Sequence, residues 1–166
     1  MPELRVRQNS LQRFLQFVPS SAIGAALFSK VVHYVDRPLM RASGGKLSLP
    51  QLVLGCPCVV LSTTGARSGL IRTIPTIGIP DGANVALIAS NWGQRRHPSW
   101  YYNLQQEPRA VLRFAGHEGT YVGREVDRED EYDRLWKRAV SLYSGYAKYE
   151  ARAGGRGIAI FVMEPV

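Results

Sequence analysis

Two short segments of this 166-residue chain concentrate the side chains that could bind or transform a small molecule. The first is Ser62-Thr63-Thr64-Gly65-Ala66-Arg67-Ser68-Gly69, a strand end opening into a glycine-flanked turn, with Arg72 on the strand that follows. Backbone N–H groups in such a turn, joined by a guanidinium, suit a phosphate. The same residues also describe a plain polar hairpin loop. The second segment runs Ala89-Ser90-Asn91-Trp92-Gly93 and continues through Arg95-Arg96-His97-Pro98-Ser99-Trp100-Tyr101-Tyr102-Asn103-Leu104. Polar groups, a glycine where backbone can approach a ligand, and a cluster of aromatic rings after a strand end fit a flat heteroaromatic ring with an anionic tail. Trp100 and Tyr101 equally suit the core side of a short helix.

Several other chemistries are missing their residues. There is no Gly-x-Ser-x-Gly elbow, no His-Glu-x-x-His, no P-loop, and no Gly-x-Gly-x-x-Gly opening a helix. His33, His97 and His117 are far apart and lack ligand-like neighbours, so they read as surface or capping residues, and no metal site is expected. Cys56 and Cys58 stand one proline apart, poor geometry for a mutual disulfide and no basis for a zinc site. They read as reduced thiols of a cytoplasmic protein.

The net charge of +8 is unevenly spread. Arg5, Arg7, Arg13, Lys30, Arg37, Arg41 and Lys46 face only Glu3 and Asp36 in the first 46 residues, and Arg67, Arg72, Arg95, Arg96, Arg109 and Arg113 face only Asp81 and Glu107 between 65 and 113. The remainder is near neutral. An anionic partner is implied, which could be a phosphorylated cofactor, anionic lipid or nucleic acid. The absence of Lys-rich runs and of aromatic RNA-recognition signatures argues against nucleic acid.

Length and a 45% hydrophobic composition allow one domain with a substantial core. Residues 1–46 are expected to form an amphipathic helical arm broken at Pro19. Leu11, Phe14, Leu15 and Val18 lie on one face, with Ile23, Leu27, Val31, Tyr34 and Val35 repeating it. The arm would pack on the domain or touch an anionic membrane surface peripherally. No segment is apolar enough to span a bilayer, and no secretory leader pattern is present.

After Ala42-Ser43-Gly44-Gly45 the pattern in residues 47–166 becomes strand-like. Strands are expected at Cys58 to Ser62, Ile71 to Ile79, Val85 to Ser90, Ala110 to Phe114, Thr120 to Val126 and Ile158 to Met163. Helices are expected at His97 to Gln106, with Pro98 in the first turn, and at Asp127 to Leu142. Links this short forbid crossovers, so the fold class is α+β: a six-stranded antiparallel split β-barrel with flanking helices and the N-terminal arm.

In this order, Thr-Thr-Gly-x-Arg-Ser-Gly-x-x-Arg-x-x-Pro, Asp-Gly, Ala-Ser-Asn-x-Gly and His-Pro-x-Trp-Tyr-x-Asn-Leu resemble the deazaflavin-dependent (coenzyme F-420) nitroreductase and quinone reductase family, of split-barrel flavin-reductase-like fold. The resemblance covers about residues 59–166. It implies that Arg67, Ser68 and Arg72 face the coenzyme's phosphate and acidic oligoglutamate tail. It further implies that Ser90, Asn91 and Gly93 line the deazaflavin ring, and that Trp100, Tyr101 and Asn103 brace the tail side.

Leu142 to Tyr149 is similar to the family's tyrosine-bearing helix, with Tyr143, Tyr146 and Tyr149 expected near one helical face. Tyr146, helped by Tyr143, Tyr149 and Ser90, would supply a proton or hydrogen bond to a quinone-like, nitroaromatic or other electron-poor acceptor receiving a hydride. Two departures stand out. Ala66 replaces an arginine frequent in relatives, implying weaker tail binding, and Ile77 replaces a tyrosine of some quinone- and nitro-reducing members. An FMN-binding reductase of the same barrel and a non-enzymatic carrier of an apolar molecule are the rival readings. Nothing in the residues specifies an oligomeric state.

Overall fold

The computed structural model describes residues 55–166, so the arm expected at 1–46 lies outside the described residues. Six antiparallel strands, β1 (Cys58–Thr64), β2 (Ile71–Asp81), β3 (Asn84–Ile88), β4 (Arg109–Phe114), β5 (His117–Glu125) and β6 (Ile160–Pro165), close into a barrel of order β1-β2-β3-β6-β5-β4. Closure comes from β1, which pairs with β2 on one side (Thr63 opposite Arg72) and with β4 on the other (Thr63 opposite Ala110). The last strand inserts between β3 and β5. Three helices flank the barrel: α1 (Ser99–Gln106), α2 (Glu129–Leu142) and α3 (Gly145–Arg152).

Strand alternation sorts the apolar residues into two layers. Val59, Leu61, Val85, Leu87, Leu112, Phe161 and Met163 point into the barrel, where Trp100 and Leu104 of α1 join them. Their neighbours Ala86, Ile88, Ile160 and Val162 point outward and are covered by α2 and α3 through Leu135, Ala139, Tyr146 and Tyr149. Spacing explains the cover. In α2, Tyr132, Leu135, Trp136, Ala139 and Val140 recur at three and four residues and make one apolar stripe. Glu129, Asp130 and Glu131 occupy its first turn, where the helix dipole favours negative charge. Arg134 pins it to the β2–β3 hairpin, its Nη2 donating to Asp81 Oδ2 at 3.0 Å.

Several boundaries depart from expectation. The β4–β5 connection, expected to span five residues, is the two-residue turn Ala115-Gly116, both at positive φ (50° and 78°), the geometry that follows the sheet's own twist. Pro98 is the N-cap of α1 and stands just before its first turn, because its ψ of 154° is extended. The tyrosine segment also differs. Tyr143 adopts φ −144° and ends α2, so it does not share a helix with Tyr146 and Tyr149. Gly145 permits that break, since a Cβ there would collide with the Tyr143 ring.

Candidate functional site

The turn between β1 and β2 is held from inside and open outside. Gly65 N–H donates to Leu70 O at 2.9 Å and Gly69 N–H to Gly65 O at 2.8 Å, closing the loop. A Cβ at Gly65 would meet Ser68 Oγ and Leu70 O, so this tightness requires glycine. Below the turn, Asn103 of α1 accepts from Ala66 N–H through Oδ1 and donates from Nδ2 to Thr63 Oγ1, both at 2.9 Å. Thr63 and Asn103 are buried, so the amide fills a pocket in which every polar group has a partner. Asn103→Ala strands the Thr63 hydroxyl and the Ala66 N–H. It is expected to cost about 2–4 kcal/mol, read as a lowered midpoint in urea unfolding; an unchanged midpoint would show the turn is held without it.

The outward face of the turn carries the charge. Arg67, Ser68 and Arg72 are exposed, and among the described residues neither arginine pairs with a carboxylate. The contact of Arg72 Nη2 with Ser68 Oγ is long, 3.4 Å. The Arg67 N–H has no acceptor among the described residues. Two guanidiniums that meet no carboxylate among the described residues, beside an open backbone donor, are a donor set that suits an anion.

A second turn follows β3. Asn91, Trp92 and Gly93 form a single 3-10 turn with φ of 45°, 59° and 76°, so two consecutive non-glycine residues sit in the left-handed region. Such backbone persists only where its surroundings over-determine it. Here Asn91 Nδ2 donates to Arg96 O at 2.9 Å and Gly93 N–H to Ser90 O at 2.9 Å. Gly93 lies against α3, where a Cβ would meet Tyr149 O and Arg152 Cβ. That glycine therefore serves packing on α3, and Trp92 adds an edge contact to the Tyr149 ring at 6.0 Å. Ser90 is 8% exposed, and its hydroxyl has no hydrogen-bond partner among the described residues.

The tyrosines meet despite their separate elements. Ring centroids are 5.4 Å apart for Tyr143–Tyr146, 5.8 Å for Tyr143–Tyr149 and 6.2 Å for Tyr146–Tyr149. The Tyr143 and Tyr149 hydroxyls share a 2.7 Å hydrogen bond. Tyr146, 4% exposed, has no partner for its hydroxyl among the described residues. Burial raises all three phenols. Tyr146 and Tyr143 lie far above the usual value, and Tyr149 is pushed up to about 12, restrained by its bond to Tyr143 and by Arg152 over its ring. Ile77 and the buried Cys56 thiol border this cluster. No disulfide joins Cys56 to Cys58.

Of the remaining expected residues, Trp100 is buried in the barrel interior with its ring edge-on to Phe161, a core position. Tyr101 is half-buried, stacks on His97 at 4.0 Å and receives Gln105 Nε2 on its hydroxyl at 2.9 Å. His97, expected as a surface or capping residue, is half-buried and held against the loop by Tyr101 and Arg156. Sequence reading passed over Arg156, whose guanidinium reaches the carbonyls of Ala89, Ser90 and Gln94 and the His97 ring. Its only sequence signal is an arginine framed by glycines in Gly154-Gly155-Arg156-Gly157. Among the described residues no cluster of His, Cys, Asp and Glu could hold a metal, and no helix is long and apolar enough to cross a membrane.

Residues 35–165 match the family model of F420H(2)-dependent quinone reductases. The chain belongs to that family. Among individual relatives, a Mycobacterium tuberculosis protein provisionally named an F420H(2)-dependent quinone reductase is 31% identical over 109 residues, covering 66% of this chain and 90% of its own. A solved F420-H2 dependent reductase is 33% identical with a TM-score of 0.59, covering 65% of this chain and 94% of its own. A second structure, a domain-swapped dimer, is 29% identical with a TM-score of 0.62, covering 82% and 98%. The protein is therefore an oxidoreductase that uses reduced coenzyme F-420, with a quinone as acceptor. The residues fit such a coenzyme: the β1–β2 turn offers two exposed guanidiniums that pair with no carboxylate among the described residues, and the buried hydroxyls of Ser90 and Tyr146 have no hydrogen-bond partner among them.

Proposed function

We propose that this quinone reductase holds its coenzyme along one line, from Arg67, Ser68 and Arg72 at the tail and phosphate to Ser90, Asn91 and Gly93 at the ring, with the acceptor against Tyr146. The observation that carries this reading is the mechanical continuity of the three segments. Asn103 ties the β1–β2 turn to α1, and the loop entering α1 carries Ser90 to Gly93. That loop in turn rests on the helix bearing Tyr146 and Tyr149. A long polyanionic ligand bound on this line touches one preorganised body and costs little ordering.

When bound, the reduced coenzyme supplies a hydride. The chain's own residues bind, orient and manage the proton. Arg67 and Arg72 neutralise the anionic end, the strained 91–93 turn presents backbone and the Ser90 hydroxyl to the ring edge, and Tyr146 faces the acceptor oxygen. Trp100 and Asn103 act beneath the surface, one by packing and the other by holding the turn. Tyr101 orders the loop through its stack on His97.

Fluorescence titration of purified protein with coenzyme F-420 and with FMN tests the reading, followed by turnover of a quinone and of a nitroaromatic compound with reduced F-420. Tighter binding of F-420 and efficient quinone reduction are expected, with the nitroaromatic arm reporting how far the acceptor site discriminates. Saturable FMN binding with FMN-dependent turnover and no F-420 affinity would overturn it.

A further inference from the structure

The connection from α3 to β6 spends an arginine on backbone. Gly154 and Gly155, at φ of 66° and 83°, turn the chain so that Arg156 points back under the Ser90 loop. Its Nη2 donates to Ser90 O at 2.9 Å and to Gln94 O at 3.0 Å, Nε to Gln94 O at 3.1 Å, and Nη1 to Ala89 O at 3.2 Å and Gly157 O at 3.2 Å. Nη1 also meets His97 Nδ1 at 3.0 Å. A guanidinium can only donate, so Nδ1 accepts and the ring proton of neutral His97 resides on Nε2. No carboxylate pairs with Arg156 among the described residues. A half-buried cation without a counter-ion is costly. What it gains is a fork that fixes three carbonyls and an imidazole at once, on the loop whose 91–93 backbone is strained.

We propose that Arg156 is a positioning residue for the coenzyme: its guanidinium clamps the Ala89–His97 loop so that Ser90, Asn91 and Gly93 present their ring-facing edge, and without the clamp coenzyme affinity falls. This inference rests on the assignment of Ser90 to Gly93 as the ring edge. His97 completes the clamp, with Tyr101 stacked on one side, Tyr102 edge-on at 6.2 Å, and Arg156 and Glu125 as the charged groups that influence it. Burial first, and then the Arg156 charge, hold the imidazole below its ordinary pKa, against a smaller opposing pull from Glu125.

The test uses Arg156→Lys and Arg156→Gln, with Ser90→Ala as a check on the underlying assignment. Lysine keeps the charge but replaces a planar fork with a single ammonium. Both variants are expected to raise the Kd and KM for reduced coenzyme about tenfold or more while kcat at saturating coenzyme holds, all measured well below the unfolding midpoint. In Arg156→Gln the His97 titration followed by NMR should move up toward its ordinary value, because a nearby cation is gone.

A weakened Ser90→Ala with wild-type affinity in both Arg156 variants would overturn the inference and leave the ring-edge assignment standing. Unchanged affinity in Ser90→Ala would overturn the assignment itself. If Arg156→Gln does not fold, Arg156→Lys decides: wild-type Kd refutes the clamp, and a raised Kd with intact kcat supports it.

Discussion

Tyr146→Phe is expected to lower kcat for quinone reduction by on the order of 10²-fold at saturating reduced coenzyme, with coenzyme affinity and stability retained. The Tyr146 hydroxyl is buried and has no partner among the described residues, a state that costs stability unless a ligand uses it. Its ring packs between Trp136, Tyr143 and Tyr149, contacts that phenylalanine reproduces. Burial raises the phenol far above its usual pKa, so it remains protonated throughout the working range. It can therefore donate but cannot act as a base. An acceptor that gains a hydride develops negative charge on oxygen, and a preorganised donor in a dry pocket is worth most there. The Tyr143 and Tyr149 hydroxyls are already engaged with each other, so removal of either should cost less. Full turnover by Tyr146→Phe, with an unfolding midpoint matching the wild type, would remove the tyrosine from the chemistry and leave it a packing residue.

The barrel was legible because its signals are local. Alternation identified the strands, and the Asp-Gly step marked the β2–β3 turn. Errors fell where tertiary contacts choose the conformation. Ala115 gives no hint that it will adopt positive φ, yet the register of β4 against β5 leaves only two residues for the turn. Tyr143, Tyr146 and Tyr149 have the spacing of one helical face, but the Tyr143 ring occupies the space beside Gly145, and only a chain break brings the three phenols together.

Site residues divided along the same line. The exposure of Arg67, Ser68 and Arg72 was readable because a solvent-facing turn requires little beyond its own sequence. Trp100 and Asn103 belong to one motif but take different places, one in the barrel core and one bonded beneath the turn, according to the side of α1 each occupies. Arg156 was invisible because its partners on the Ala89–His97 loop lie 59 to 67 positions away and are mostly backbone carbonyls, which leave no trace in side-chain type. Gly93 shows the opposite difficulty. Its signal was read as the approach of a ligand, and gave no hint that α3 also packs against it.

Replacing Arg67 and Arg72 together by alanine is expected to raise the Kd for coenzyme F-420 by on the order of 10²-fold at low ionic strength, about tenfold for each charge-assisted contact after allowing for solvent exposure. The loss should shrink as salt is added, since screening weakens the wild-type complex more than the variant. Stability should be unchanged: both side chains are exposed, and among the described residues their side-chain hydrogen bonding amounts to the long Arg72–Ser68 bond. Arg113→Ala provides the control for net charge. That residue lies on β4 and already pairs with Glu118, its Nε donating at 2.7 Å, so its removal should not affect coenzyme binding. If Arg113→Ala weakened binding as much as the double variant, the attraction would arise from overall basicity, and the turn would lose its role. With Ala66 standing where the family resemblance leads one to expect an arginine, the two guanidiniums carry more of the binding, because the turn holds no third cation between residues 62 and 72. Restoring it as Ala66→Arg should tighten binding in the wild type and recover some of the loss in the double variant, provided that the turn is where the anionic tail sits.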